Sequence, residues 1–346
     1  MSIFSVAAGS LEKWENGGRA EVLRLFEKNV YGERPAGLEN MKIEYVIKSE
    51  KREGNYIRRD MEMRCKDLSI RFFLFLPLFG KRSGAFIDLM TLKMTEKYNF
   101  FAQPDCSAFP LSQIIERGFS AAVLIADDLA ADMPEGKSTG IFRHFPCEGE
   151  TGWGVISAWA WGMSRVLDYL MTLDNIDLSR IAALGHSRCG KTALWAAATD
   201  SRFAMAVSNC SGNTGAALSR GNTGETVRQI NERFPHWFCG NYKKYNDNEN
   251  ALPIDQHMLL GLIAPRKCYV AGADLDDWAD PDGELLSAKL ASPYYELYGR
   301  RGLVLEGGLK NDFSYNKGTI AYHRRSGKHE ITPFDWEKFM DFFDKN

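Results

Sequence analysis

The spacing of apolar residues changes along the chain, and each change marks a different kind of element. From Leu11 to Tyr31 they fall at Leu11, Trp14, Val22, Leu23, Leu25, Phe26 and Val30. This spacing predicts a helical segment interrupted at Gly17-Gly18 and ended by the Gly32–Pro35 stretch. Three strand-like runs follow at Lys42–Lys48, Tyr56–Arg64 and Ser69–Leu78, the second alternating clearly. With no helix between them they predict an antiparallel meander. After Gly84 the runs Ala85–Met90, Ser120–Ala126, Arg180–Leu184, Phe203–Ser208 and Cys268–Gly272 alternate with helical stretches, the clearest being Val155–Leu173. Strands that are apolar throughout are buried on both faces, so this part predicts a mostly parallel sheet with helices on each side. The whole reads as one α/β domain over residues 1–346. Antiparallel N-terminal strands lead into the parallel sheet, and residues 1–35 pack on it as a helical segment.

Composition narrows the class. Of 346 residues, 45% are hydrophobic and 12% aromatic, too many for a disordered chain. The 43 basic and 45 acidic residues leave a net charge of −2, which offers no electrostatic footprint for nucleic acid or an anionic membrane. The longest apolar run, Phe72–Phe79, is strand-sized and far short of the roughly 18 residues that cross a bilayer. The first residues, MSIFSVAAGS, lack the basic start of a secretory leader. The seven cysteines are odd in number, scattered and without a C-x-x-C pair, against a disulfide framework or a structural zinc site. These features predict the reducing cytosol, although a secreted protein whose leader had been removed would read the same way.

Candidate chemistry concentrates in Ile181–Ala198, IAALGHSRCGKTALWAAA. An apolar strand runs into Gly185-His186-Ser187-Arg188-Cys189-Gly190 and then at once into a helix-forming run. That is the strand–turn–helix setting of a nucleophile elbow, which lifts a serine hydroxyl off the sheet edge at the positive end of a helix. The backbone N–H of Arg188 would then face a developing oxyanion. The plainer reading is a loop serine capping a helix, and the second glycine falls one position late for G-x-S-x-G. The choice depends on partners. In this chemistry a base and an orienting carboxylate follow the serine along the chain.

Three of the six histidines, His257, His323 and His329, lie well beyond Ser187 and near the end of a sheet strand or in a following loop. His257 sits in a helical run, and His323 lies inside Thr319–Arg325, which alternates like a last strand. His329 follows in the turn Ser326–His329, just before the predicted helix Pro333–Phe343. A loop off the last strand is where the base belongs, so His329 ranks first and His323 second. For the acid, Asp274, Asp276, Asp277 and Asp280 crowd the end of the penultimate strand, and the pattern alone leaves the choice among them open.

These motifs together make the chain resemble the glucuronoyl esterases of carbohydrate esterase family 15 and related bacterial proteins labelled acetylxylan esterases. The likeness runs from about Gly152 to Phe343, with a weaker match at Tyr31–Pro35. It rests on Gly152–Gly162, Gly185–Trp195, Ser211–Arg220, Asp255–Arg266, Asp276–Glu284 and Gly327–Trp336. The family's elbow, G-C-S-R-N-G-K, also has two residues between Ser and the second Gly. The resemblance implies an α/β-hydrolase fold, with Ser187 as nucleophile, His329 as base and Asp276 as acid. Arg188 matches an oxyanion-binding arginine. Lys191 and Glu225 match residues that contact sugar hydroxyls, and Trp278 matches a tryptophan beside the glucuronoyl group. One position departs from the pattern: Cys210 stands where many members carry a carboxylate that some use as the triad acid.

Arg188 and Lys191 also stand out on physical grounds. Cations at a helix N-terminus oppose the dipole, and a guanidinium suits an anionic intermediate. The function implied is a serine carbohydrate esterase acting on glucuronoxylan-derived material. A 4-O-methylglucuronoyl ester is the first choice of substrate and an acetyl ester of xylan fragments the second. A catalytically silent binding module is the alternative outside enzymes. No metal or organic cofactor is implied, no nucleic acid or membrane partner is expected, and the oligomeric state is not legible.

Overall fold

A computed structural model describes residues 10–80 and 82–345. Among these, nine strands form one sheet in the order β1-β2-β3-β5-β4-β6-β7-β8-β9. The first three are β1 (Glu44–Glu53), β2 (Tyr56–Cys65) and β3 (Leu68–Pro77), the predicted meander, and β3 joins the rest by pairing antiparallel to β5. The remaining strands are β4 (Ser83–Met90), β5 (Ser120–Ile125), β6 (Ile176–His186), β7 (Met205–Asn209), β8 (Lys267–Ala273) and β9 (Ile320–Arg325). They run parallel from β5 across to β9.

Strand β4 explains why these runs carry no polar alternation. Its Ala85, Ile87 and Leu89 enter the core on one face of the sheet, while Phe86 and Met90 enter the core on the other. Helices α1 (Arg19–Phe26), α2 (Val155–Leu170), α3 (Arg188–Thr199) and α4 (Pro281–Leu290) supply the first core. Helix α5 (Pro333–Asp344) covers the second with Trp336, Phe339 and Phe343.

Three differences from the sequence reading have plain causes. Strand β1 runs on to Glu53 because Ser49–Glu53 is a polar stretch on an edge strand, where strand geometry leaves no apolar signal. The interruption at Gly17-Gly18 is a kink within a continuous helical path, with Asn16 and Gly17 leaving helical dihedrals. Strand β6 begins earlier, at Ile176, because polar Asp177 and Ser179 intervene before its apolar core.

The N-terminal segment is bound tightly to the domain, although its first nine residues lie outside the described part. The Tyr31 ring stacks on Trp195 of α3 at 4.2 Å. Its hydroxyl donates to the Thr214 carbonyl at 2.8 Å. The Cys239 N–H donates to the Val30 carbonyl at 2.9 Å.

Candidate active site

Strands β6, β7, β8 and β9 are consecutive neighbours, and the chain leaves each of their C-terminal ends carrying a residue of interest. Ser187 follows β6, Cys210 follows β7, Asp276 follows β8 by three residues, and His329 follows β9 by four. Parallel sheets place ligands beyond this edge. Here the edge surrounds a cleft of about 330 Å³ lined by Ser187, Arg188, Cys210, Asp276 and His329.

Ser187 adopts φ 59°, ψ −125°, a conformation that costs a non-glycine residue energy and marks a sharp elbow. The turn closes only because its flanks are small. A Cβ on Gly185 would lie 2.2 Å from the Cys189 carbonyl oxygen, and one on Gly190 would lie 3.0 Å from both the Gly185 oxygen and the Ser211 Cβ. The glycine that looks one position late in sequence is therefore the one that packs against the strand. Arg188 is the first residue of α3, so its backbone N–H has no acceptor within the helix.

His329 sits in a turn built to hold it. Arg325 donates to the carbonyls on either side of it, Lys328 at 2.8 Å and Glu330 at 2.9 Å. Its Nδ1 lies 2.6 Å from Asp276 Oδ2. An imidazole that donates through Nδ1 keeps its lone pair on Nε2, the tautomer a general base needs. Among the described residues the Ser187 hydroxyl makes no hydrogen bond to this ring. Such contacts commonly tighten only in the substrate complex.

The neighbouring carboxylates have other partners. Asp274 accepts from the Gly327 N–H at 2.8 Å and from Asn311 at 2.7 Å, pinning β8 to the histidine turn. Asp280 caps α4 through the Gly283 N–H and binds Thr223. Asp277 begins a short 3-10 turn. The second-ranked histidine, His323, is fully buried and bonded to Tyr269 at 2.9 Å and to Asp335 at 2.8 Å. His257 is likewise buried, on a short helix.

His186 packs beside the elbow. Its ring lies 4.6 Å from that of His329, and its Nδ1 is 2.7 Å from Asn209 Oδ1. Burial, reinforced by His329, pushes its pKa down to about 3, so it stays a neutral neighbour of the base.

The positions matched to substrate contacts divide in two. Glu225 is buried beside the cleft, and its Oε1 has no hydrogen-bond partner. Trp278 stands at the rim, 45% exposed, with the Arg233 guanidinium 5.1 Å above its ring. Lys191, by contrast, is buried, and its ammonium donates to the carbonyls of Ser211 and Asn213. Two of its three donors thus fix the loop after β7, leaving one for the cleft. Burial lowers its pKa to about 8, opposed by Glu225 and Glu284. Behind the same loop, Glu284 accepts from the N–H groups of Ser211 at 2.9 Å and Gly212 at 3.0 Å, while its Oε2 has no partner. Burial pushes its pKa up to about 8, and the two N–H donors only partly oppose this.

Sequence reading missed the group that holds Arg188. Its guanidinium pairs with Asp132 and lies 4.7 Å over the Trp237 ring and 5.0 Å over Phe234. Those two rings stack at 3.8 Å. Burial works to raise the Asp132 pKa, yet His236, Arg188 and Trp237 together hold it below its ordinary value. The one available signal was the run FPHWFC at 234–239, three aromatics and a histidine in a stretch of no regular period.

The sequence profile described as "Glucuronyl esterase, fungi" matches residues 106–299. Carbohydrate esterase MZ0003, from an unknown prokaryotic organism, is 36% identical across 97% of this chain and 85% of its own. The 4-O-methyl-glucuronoyl methylesterase of Podospora anserina is 35% identical over 43% of this chain and 34% of its own. The glucuronoyl esterase from Solibacter usitatus superimposes with a TM-score of 0.89 at 34% identity, covering 97% of this chain and 93% of the other.

Proposed function

The chain belongs to the glucuronoyl esterase family, carbohydrate esterase family 15, and we propose that it cleaves a 4-O-methylglucuronoyl ester on glucuronoxylan-derived material. The observation that carries this reading is the 2.6 Å Asp276–His329 pair beside the strained Ser187, in one cleft.

His329 takes the Ser187 proton through Nε2 as the hydroxyl oxygen attacks the ester carbonyl. Asp276 holds the ring and stabilises the imidazolium that forms. Negative charge builds on the former carbonyl oxygen, where the Arg188 N–H and guanidinium supply donors fixed before the reaction begins. His329 then protonates the departing alcohol. Water, deprotonated by the same nitrogen, releases the uronate from Ser187.

A cleft of about 330 Å³ is at the small end of ligand sites and suits one sugar ring with its ester. Trp278 offers that ring a flat face. The Glu225 oxygen, 3.9 Å from the Arg233 guanidinium and without a hydrogen bond among the described residues, offers a sugar hydroxyl an acceptor.

The test is a side-by-side assay on methyl 4-O-methylglucuronate and on acetylated xylo-oligosaccharide. Higher kcat/KM on the uronate ester is expected. Turnover of the acetyl ester alone would replace this substrate assignment, and no turnover of either together with no fluorophosphonate labelling of Ser187 would leave a silent hydrolase fold.

A further inference from the structure

We propose that Cys210, Asp276 and His329 form a soft-cation site that takes Zn²⁺ at the edge of the cleft and switches the enzyme off when filled. Each residue offers one ligand atom, and these atoms all lie within 4.8 Å of one another. They arrive from the ends of three adjacent strands, β7, β8 and β9, so the grouping depends on the sheet and not on one flexible loop.

The donor set fits the ion. Thiolate, imidazole and carboxylate are the three ligand types zinc accepts, and three protein ligands leave a fourth position open to water from the cleft. Tetrahedral zinc with ordinary bond lengths sets its ligand atoms about 3.3–3.6 Å apart. The Asp276–His329 contact must therefore open from 2.6 Å, while no separation has to close by more than about 1.5 Å. The His329 side chain is 42% exposed in its turn and has room to swing. Among the described residues the sulfur is tied only by a 3.8 Å contact to the Glu330 carbonyl.

The proton count shows why filling the site stops turnover. Cys210 gives up its thiol proton to solvent and binds as thiolate. Asp276 binds as the carboxylate it already is. His329 binds through Nδ1, whose proton passes by way of solvent to Nε2, so the ring stays neutral. One proton is released per zinc. Nε2 then carries a hydrogen and has no lone pair for the Ser187 hydroxyl, so the nucleophile is left unactivated.

The proposal goes beyond the esterase reading, and its test does not depend on the natural substrate. The chelator-treated protein is titrated with zinc chloride while Ser187 labelling by a fluorophosphonate is timed. It is titrated separately with cadmium chloride while the thiolate-to-cadmium charge-transfer absorption is read. Zinc should slow labelling, excess EDTA should restore it, and cadmium should give a saturable band at one equivalent. In Cys210→Ser and Cys210→Ala the band should fall, and the zinc concentration needed should rise at least about tenfold. Absence of both the band and the slowing in the wild type overturns the site. So does a band or a zinc response that persists unchanged in either cysteine variant, because the cation would then sit elsewhere.

Discussion

Asp132 grips Arg188 from beneath: one carboxylate oxygen pairs with the guanidinium, and the other takes His236 Nε2 at 3.0 Å and Trp237 Nε1 at 2.8 Å. The arginine is thus held in place before any charge develops on substrate. Its position at a helix N-terminus, unfavourable for a cation, is offset by a half-buried anion and two aromatic faces.

Asp132→Asn keeps the shape and loses the charge. It should lower kcat by about tenfold with KM changed little. Arg188→Ala should cost about 10²–10³, as loss of an oxyanion donor does elsewhere. In an Arg188→Ala background the Asp132 change should have no further effect on kcat. Steady-state kinetics of the four proteins checks this, and additive losses would mean that Asp132 acts independently of Arg188.

Ser187→Ala and His329→Ala should each remove several orders of magnitude of kcat. His323→Ala should differ in kind. Its ring is bonded to Tyr269 and Asp335 inside the core, so the loss should appear as a lower Tm with kcat largely kept. Thermal melts run beside the assays separate the two outcomes, and a collapse of kcat in folded His323→Ala would reverse the assignment of the base.

Asp276→Asn should cause a large loss of kcat and Asp274→Asn a small one, because Asp276 touches the imidazole while Asp274 braces Gly327. Cys210→Asp should recover part of the Asp276→Asn loss. Position 210 has φ 47°, a conformation aspartate tolerates better than most residues. A double variant no faster than Asp276→Asn would show that a carboxylate at 210 does not reach the ring.

Glu284 links stability to pH. Its folded pKa of about 8 lies above its ordinary 4.5. Below the lower value both folded and unfolded chains hold the proton. As pH rises between the two values the unfolded chain ionises first, so stability is lost, and the loss levels off once the folded chain ionises as well. Lys191 acts with the opposite sign at higher pH. Its folded pKa of about 8 lies below 10.5, so stability is regained as pH rises between these values. Tm measured against pH should fall from pH 5 to pH 8 less in Glu284→Gln than in the wild type. Parallel curves would mean that Glu284 does not carry the proton.

How much of this could be read in the sequence depended on locality. The parallel strands announce themselves through runs such as Ala85–Met90. Which runs end in turns places Ser187, an acidic cluster at Asp274–Asp280 and His329 in that order, while the choice of Asp276 within the cluster comes from the resemblance. The elbow's geometry is local too, so its glycines are legible once the late position of Gly190 is understood. Asp132 was not legible because it sits in a loop 56 residues before Arg188 and 104 residues before His236. No periodicity connects such segments. Nor does a sequence reveal that Lys191 turns its charge inward to loop carbonyls, since its helical position looks the same whether it faces solvent or the interior.

The bond from Tyr31 to Thr214 spans 183 positions, and the ring's stacking partner Trp195 is almost as remote. Nothing near Tyr31 in the chain can substitute for either. During synthesis from the N-terminus the arm leaves the ribosome long before its receptor exists, and its apolar side waits exposed. Contacts of such long range each close a large loop of chain, a cost the arm's burial must offset. The loop that begins at Ser211 at the cleft is thus braced from both ends of the sequence, by Tyr31 from one side and by Lys191 and Glu284 from the other.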